Sequence, residues 1–184
     1  MLVGGELVAG DDTMEVINPA TGKTFAVVPR ASKAQANQAI SAAKIAQTSW
    51  ADVAFADRQA KLTELADAIA ARGDELARVL TTEQGKPLTE AQGEVAWTEG
   101  FLRHYATLEL PDRVIQDDEN AYVALQHKPL GVVVGIIAWN FPLLVACWKI
   151  GPATLAGNTI ILKPAPTTPV TALLLGEICH EVFP

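Results

Sequence analysis

Two polar residues stand directly behind the two most apolar runs of the chain. Asn140 follows Gly131 to Ala138 after one tryptophan, and Lys163 follows Thr159 to Leu162. Pro142 fits the first position of a helix, where its missing N–H costs nothing, so Asn140 lies where a helix begins. Its amide then has two possible uses. It can satisfy free N–H groups of the helix start, or its NH2 group can donate to an oxygen that acquires negative charge, with the helix dipole assisting. Lys163, taken alone, reads as a solvated charge at a strand end.

The runs around these residues define the elements that must position them. Gly131 to Ala138 is rich in β-branched residues, too short for a buried helix and too continuous for a strand with one wet face, which predicts a strand covered on both sides in a parallel sheet. Helical spacing continues through Leu144, Trp148 and Leu155, and Gly157-Asn158 ends it. Thr159 to Leu162 is a second buried strand. The unit is strand, crossover helix, strand, with right-handed parallel pairing as the default. Pro164, Pro166 and Pro169 hold an extended loop after Lys163. Thr168 and Pro169 then supply an N-cap and first position for a last helix through Ala172, Leu175 and Ile178. Ligands of open α/β sheets bind at the carboxyl ends of strands, which nominates Trp139, Asn140 and Lys163. No GxGxxG separates the first strand from its helix, and Gly131 and Gly135 do not supply one.

The segments GIIAWNFP and WKIGPATLAGNTIILKP, with INPATGK (Ile17 to Lys23) and TTEQGKP (Thr81 to Pro87) upstream, resemble the nucleotide-binding half of the NAD(P)-dependent aldehyde dehydrogenase superfamily. The resemblance covers essentially the whole chain and implies an amino-terminal part, because members are well over twice this length and carry their catalytic cysteine and general-base glutamate farther on. It implies oxidation of an aldehyde to a carboxylate. Asn140 would donate to the substrate oxyanion. Lys163 would bond the adenine-side ribose hydroxyls of NAD or NADP, with Pro164, Ala165 and Pro166 lining the same loop and Ile136, Ile137, Ala138 and Trp139 beside the cofactor. Many NAD-preferring members place a glutamate three residues after the lysine, where this chain has Pro166; without that carboxylate NADP becomes admissible. Lys149 matches a lysine sometimes placed on a proton path, and equally reads as a snorkelling side chain. Two other readings are an acylating, coenzyme A-dependent member and a noncatalytic nucleotide-binding or structural module.

The remaining chain is expected to support this unit. Leu2 to Val8 and Met14 to Val28 read as two hairpins, and Ser32 with Gln35 as a capping box opening a helix to Ser49 with Ile40, Ala43 and Ala46 on its apolar side. Phe55 to Ala71 and a stretch restarting at Gly73 read as helices, as does Leu88 to Leu110, interrupted by Gly93 and Gly100. Together these read as helices covering a sheet. The expected fold is α/β, a Rossmann-like parallel sheet with flanking helices and short β-hairpins, in an incomplete domain. Its expected parts are 1–110, an extended hairpin at 111–128 that the resemblance directs to an oligomerisation sheet and hence a homo-oligomer, and the βαβα core at 129–184.

A net charge of -7 and a sequence pI near 4.9 argue against a nucleic-acid partner. No uncharged apolar run reaches the ~18 residues of a membrane span, and the start lacks a basic, apolar leader, so the expectation is a cytoplasmic protein without membrane contact. Cys147 and Cys179 are too few for a disulfide framework, and neither matches the nucleophile position. His104, His127 and His180 show no metal-ligand spacing, and no metal site is expected. On this reading the 184 residues alone are catalytically inactive.

Overall fold

Glycine turns shape the amino end of the computed structural model, which describes residues 1–184. Gly4 and Gly5, both at positive φ, join β1 (Leu2–Val3) to β2 (Glu6–Leu7), and Pro19–Gly22 joins β3 (Asp12–Asn18) to β4 (Lys23–Arg30). Both pairs are antiparallel, as expected.

The capping box forms: the Gln35 amide donates to Ser32 Oγ (3.1 Å) and the Ser32 amide to Gln35 Oε1 (3.2 Å), opening α1 (Lys33–Ala51). The inward face of α1 differs from the expected one, since Ile40 and Ala46 are exposed. The helix is anchored by polar bonds instead. Gln47 bridges Gly157 O (2.9 Å) and Thr159 N (2.8 Å), Thr159 Oγ1 donates to Ala43 O, and Trp50 Nε1 donates to Thr154 O. This face meets backbone groups at the end of a helix and the start of a strand, which a purely apolar stripe would leave unpaired.

Helices α2 (Phe55–Ala71), α3 (Gly73–Gln84) and α4 (Leu88–Ala106) follow. Leu62, Leu65, Ile69, Leu76 and Leu80 are fully buried. α4 runs without a break through Gly93 and Gly100 and stops short of Leu110. Neither glycine faces a neighbour, and packing against α2, α3 and the next helix offsets their low propensity. β5 (Arg113–Asp117) and β6 (Tyr122–Leu125) form an exposed antiparallel hairpin whose turn is tied by Asp118 Oδ1 accepting from Asn120 N and Ala121 N.

β7 (Val132–Ile136), α5 (Pro142–Leu155) and β8 (Thr159–Lys163) make the expected parallel βαβ unit, with Ile136 opposite Lys163 in the register. α6 (Val170–Val182) closes the chain. The core lies mainly among α2 to α6, where Leu102, Leu143, Leu175 and Ile178 join the leucines above. Helices therefore pack chiefly on one another and do not simply cover a sheet. β7 is also not covered on both faces. Gly135 is buried against Lys149 of α5, while Val134 and Ile136, which alternate to the opposite face, are 57% and 68% exposed because nothing packs over them there. Gly135 allows a close approach: a Cβ there would lie 2.9 Å from both Leu162 Cδ2 and Lys149 Cδ. The Lys149 stem thus lies along the strand. No helix is long and apolar enough to cross a membrane.

Candidate functional site

Asn140 lies in the turn between β7 and α5, exposed, and its side chain makes no hydrogen bond within the chain. It does not cap α5. Pro142 occupies the first turn of α5, and the next two N–H groups, Leu143 and Leu144, donate to Glu94 Oε1 at 2.9 and 3.1 Å. A fully buried carboxylate on α4 thus does the capping, favoured by the positive end of the helix dipole. Lys86 pairs with the other Glu94 oxygen, donates to the Asn140 carbonyl at 2.9 Å and sits 4.2 Å from the centre of the Phe141 ring. The Asn140 amide is consequently free of local duty.

The second loop is built alike. Lys163 is exposed at the end of β8, without an ion-pair or hydrogen-bond partner for its ammonium group, and Pro164, Ala165 and Pro166 follow it. The expected Thr168–Pro169 cap is not used: Pro169 itself is the N-cap, Thr168 is buried, and its hydroxyl has no partner. Glu83, from the end of α3, accepts from Val170 N (2.8 Å), Thr171 N (3.0 Å) and Thr171 Oγ1. Proline at 169 removes a donor and leaves these N–H groups to a distant carboxylate. Burial pushes the Glu83 carboxyl above its ordinary 4.5, outweighing the hydrogen bonds that favour ionisation, and the charge of Glu94 adds to the rise.

Between Glu83 and Lys86 the chain must reverse. Gly85 ends α3 in the left-handed region (φ 89°) hard against Pro19, where a Cβ would come within 2.8 Å of the proline ring. One segment, Thr81 to Pro87, therefore supports both loops. In the sequence this segment stands out only as a signature, and Glu83 and Glu94 do not stand out. The available signal was their place on the buried stripes of α3 and α4, three residues after Leu80 and Ala91, where a charge requires partners.

Parallel pairing brings the loops side by side, with Ile137 N donating to Lys163 O at 3.0 Å. Trp139 and Pro166 line one groove of about 440 Å³ together with Thr167, Thr168, Glu83 and Gln84. Ile136 and Ala138 are exposed but are not part of its lining, whereas Ile137 turns its side chain into the core. Leu144 is buried, and Trp148 is half exposed, 5.8 Å between centroids from Phe101. Cys147 is fully buried and its thiol is raised well above 9.0 by burial; Cys179 is pushed up to about 12 for the same reason. Neither is an accessible thiolate.

Comparisons with known proteins agree on the family. The family model described as the aldehyde dehydrogenase family matches residues 7–184. The chain is 40% identical over 186 residues to a glutarate-semialdehyde dehydrogenase of Pseudomonas putida, covering 97% of this chain and 38% of that one. It is 37% identical over 180 residues to a 3,6-anhydro-alpha-L-galactose dehydrogenase of Streptomyces coelicolor, covering 95% of this chain and 36% of that one. The chain thus spans little more than a third of the length of these relatives. A solved 3,6-anhydro-L-galactose dehydrogenase in complex with NAP superposes with a TM-score of 0.93 at 34% identity, covering all of this chain and 39% of that one. The strand-end turn at Asn140, the lysine loop beside it and these matches along nearly every residue together place the chain in the aldehyde dehydrogenase family.

Proposed function

We propose that this chain is the cofactor-binding, amino-terminal part of an enzyme that oxidises an aldehyde to a carboxylate with NAD or NADP, and that Asn140 and Lys163 are its working residues. The observation that carries the proposal is the free Asn140 amide at the start of α5, one strand away from an equally unpartnered Lys163. The parts present suit a dinucleotide. Exposed apolar surface at Ile136 and Trp139 fits a flat ring, the Lys163 ammonium fits ribose hydroxyls, and Trp139 and Pro166 face one groove.

When bound, the nicotinamide accepts the hydride that leaves the substrate. The chain's own contribution is to hold the cofactor and to donate from Asn140 Nδ2 to the substrate oxygen as it becomes an oxyanion, in a place where the dipole of α5 acts in the same sense. The nucleophile comes from elsewhere in the protein, since Cys147 is fully buried and the half-buried Cys179 has its thiol pushed up to about 12. The apolar, exposed faces of β5 and β6, with Ile115 65% and Tyr122 66% exposed, support a role for that hairpin in assembling a homo-oligomer.

The test is formation of reduced cofactor by the whole protein its gene encodes, with aliphatic, aromatic and semialdehyde substrates and with each nucleotide. Aldehyde-dependent reduction is the expected result. A folded protein that reduces neither nucleotide with any of them overturns the proposal.

A further inference from the structure

The turn that carries Asn140 is held by its backbone while its amide is left free. Lys86 donates to the Asn140 carbonyl and covers the Phe141 ring. Trp97, one helical turn beyond Glu94 on α4, brings its ring to 6.4 Å from the same phenyl group. Pro142 is buried, and the N–H groups of Leu143 and Leu144 end on Glu94. Five consecutive residues are thus fixed from α4 and from the segment that precedes it.

Capping alone does not explain this arrangement. A carboxylate suffices to cap a helix, as Glu83 does at α6 with no ion-pair partner. A buried ion pair is a weak source of stability, because desolvating both charges offsets most of their attraction. What Lys86 adds is a bond to the peptide that bears the Asn140 side chain. Its side chain is 9% exposed and that of Glu94 is 0% exposed, so neither can follow solvent fluctuations as a surface pair would.

We infer that the Lys86–Glu94 pair is a positioning device that sets the peptide of Asn140, and with it the direction of the free amide, for donation to the substrate oxyanion. This rests on the role proposed above for Asn140. An oxyanion donor is effective only within a few tenths of an ångström of its productive place, so loosening this peptide reduces turnover without weakening cofactor binding.

Lys86→Met in the whole protein is expected to lower kcat about 10- to 100-fold, with the KM for cofactor changed less than about twofold. In the Asn140→Ala background the same substitution is expected to lower kcat by less than about twofold, because the group it positions is gone. An equal loss in both backgrounds, or an unchanged kcat, overturns the inference. Lys86→Gln keeps a donor for the Asn140 carbonyl and is used in the same cycle should Lys86→Met fail to fold, with a smaller loss expected. Amide hydrogen exchange gives a readout independent of activity: Lys86→Met speeds exchange at Leu143 and Leu144 about tenfold or more, while β7 and β8 keep their rates. Acceleration everywhere, or none at Leu143 and Leu144, also overturns it. Should the wild-type protein oxidise no aldehyde, the role of Asn140 falls, and the exchange pattern alone decides whether the pair holds the turn.

Discussion

An amide left without partners is tolerable at Asn140 because it is exposed, and it is informative because the Asn140 carbonyl and the N–H groups of Leu143 and Leu144 are satisfied by Lys86 and Glu94 instead. The same contrast separates Lys163 from Lys86: one ends a strand with its ammonium free, the other is largely covered and paired with a buried carboxylate. Pro166 is exposed in the loop after Lys163 and offers no carboxylate to a ribose diol, nor any charge to repel a 2′-phosphate. Pro166→Glu is therefore expected to weaken NADP binding about tenfold or more and to strengthen NAD binding relative to it, as read by calorimetric titration with both nucleotides. An unchanged preference would show that residue 166 faces neither ribose. The residues bearing free polar groups were legible in the sequence because each follows an apolar run that stops abruptly. The residues that hold them were not, because Glu94 meets Leu143 across 49 positions and Glu83 meets Thr171 across 88.

Helix starts show the same division. Ser32 and Gln35 cap α1 from within the same turn, which pattern reading finds. The starts of α5 and α6 are capped from other helices, and the local candidates, Asn140 and Thr168, do not serve. Removing such a cap orphans buried N–H groups. Glu83→Ala is expected to cost about 1–3 kcal/mol of stability in urea denaturation.

The pH dependence at Glu83 follows from its raised carboxyl. Below the unfolded value of about 4.5 both states hold the proton and its contribution is fully present. As pH rises past that value the unfolded chain ionises first, and the contribution is lost through the folded value. Wild type should therefore lose ground relative to Glu83→Ala as pH rises past the unfolded value, with the gap in urea midpoint narrowing. A widening gap would mean that the hydrogen bonds of Val170 and Thr171 outweigh burial.

At the scale of the molecule, five helices build a core from which a two-stranded parallel unit projects its carboxyl-terminal loops. The α/β class and strand–helix–strand order were legible because β-branched runs, Pro142 and Gly157 punctuate the sequence at the element ends. The wet face of β7 was not, since Val134 and Ile136 read as core in a continuous apolar run and emerge exposed on the face opposite Gly135. In relatives more than twice as long, the rest of the chain is available to meet such a surface.

The loops, their remote caps and the free amide converge on one group. The most direct measurement is steady-state aldehyde oxidation by the whole protein and by its Asn140→Ala variant, alongside cofactor affinity for each. Loss of one oxyanion donor should lower kcat about 10²- to 10³-fold with cofactor binding unchanged. A variant that turns over as fast as wild type would contradict the assignment of Asn140 to the oxyanion.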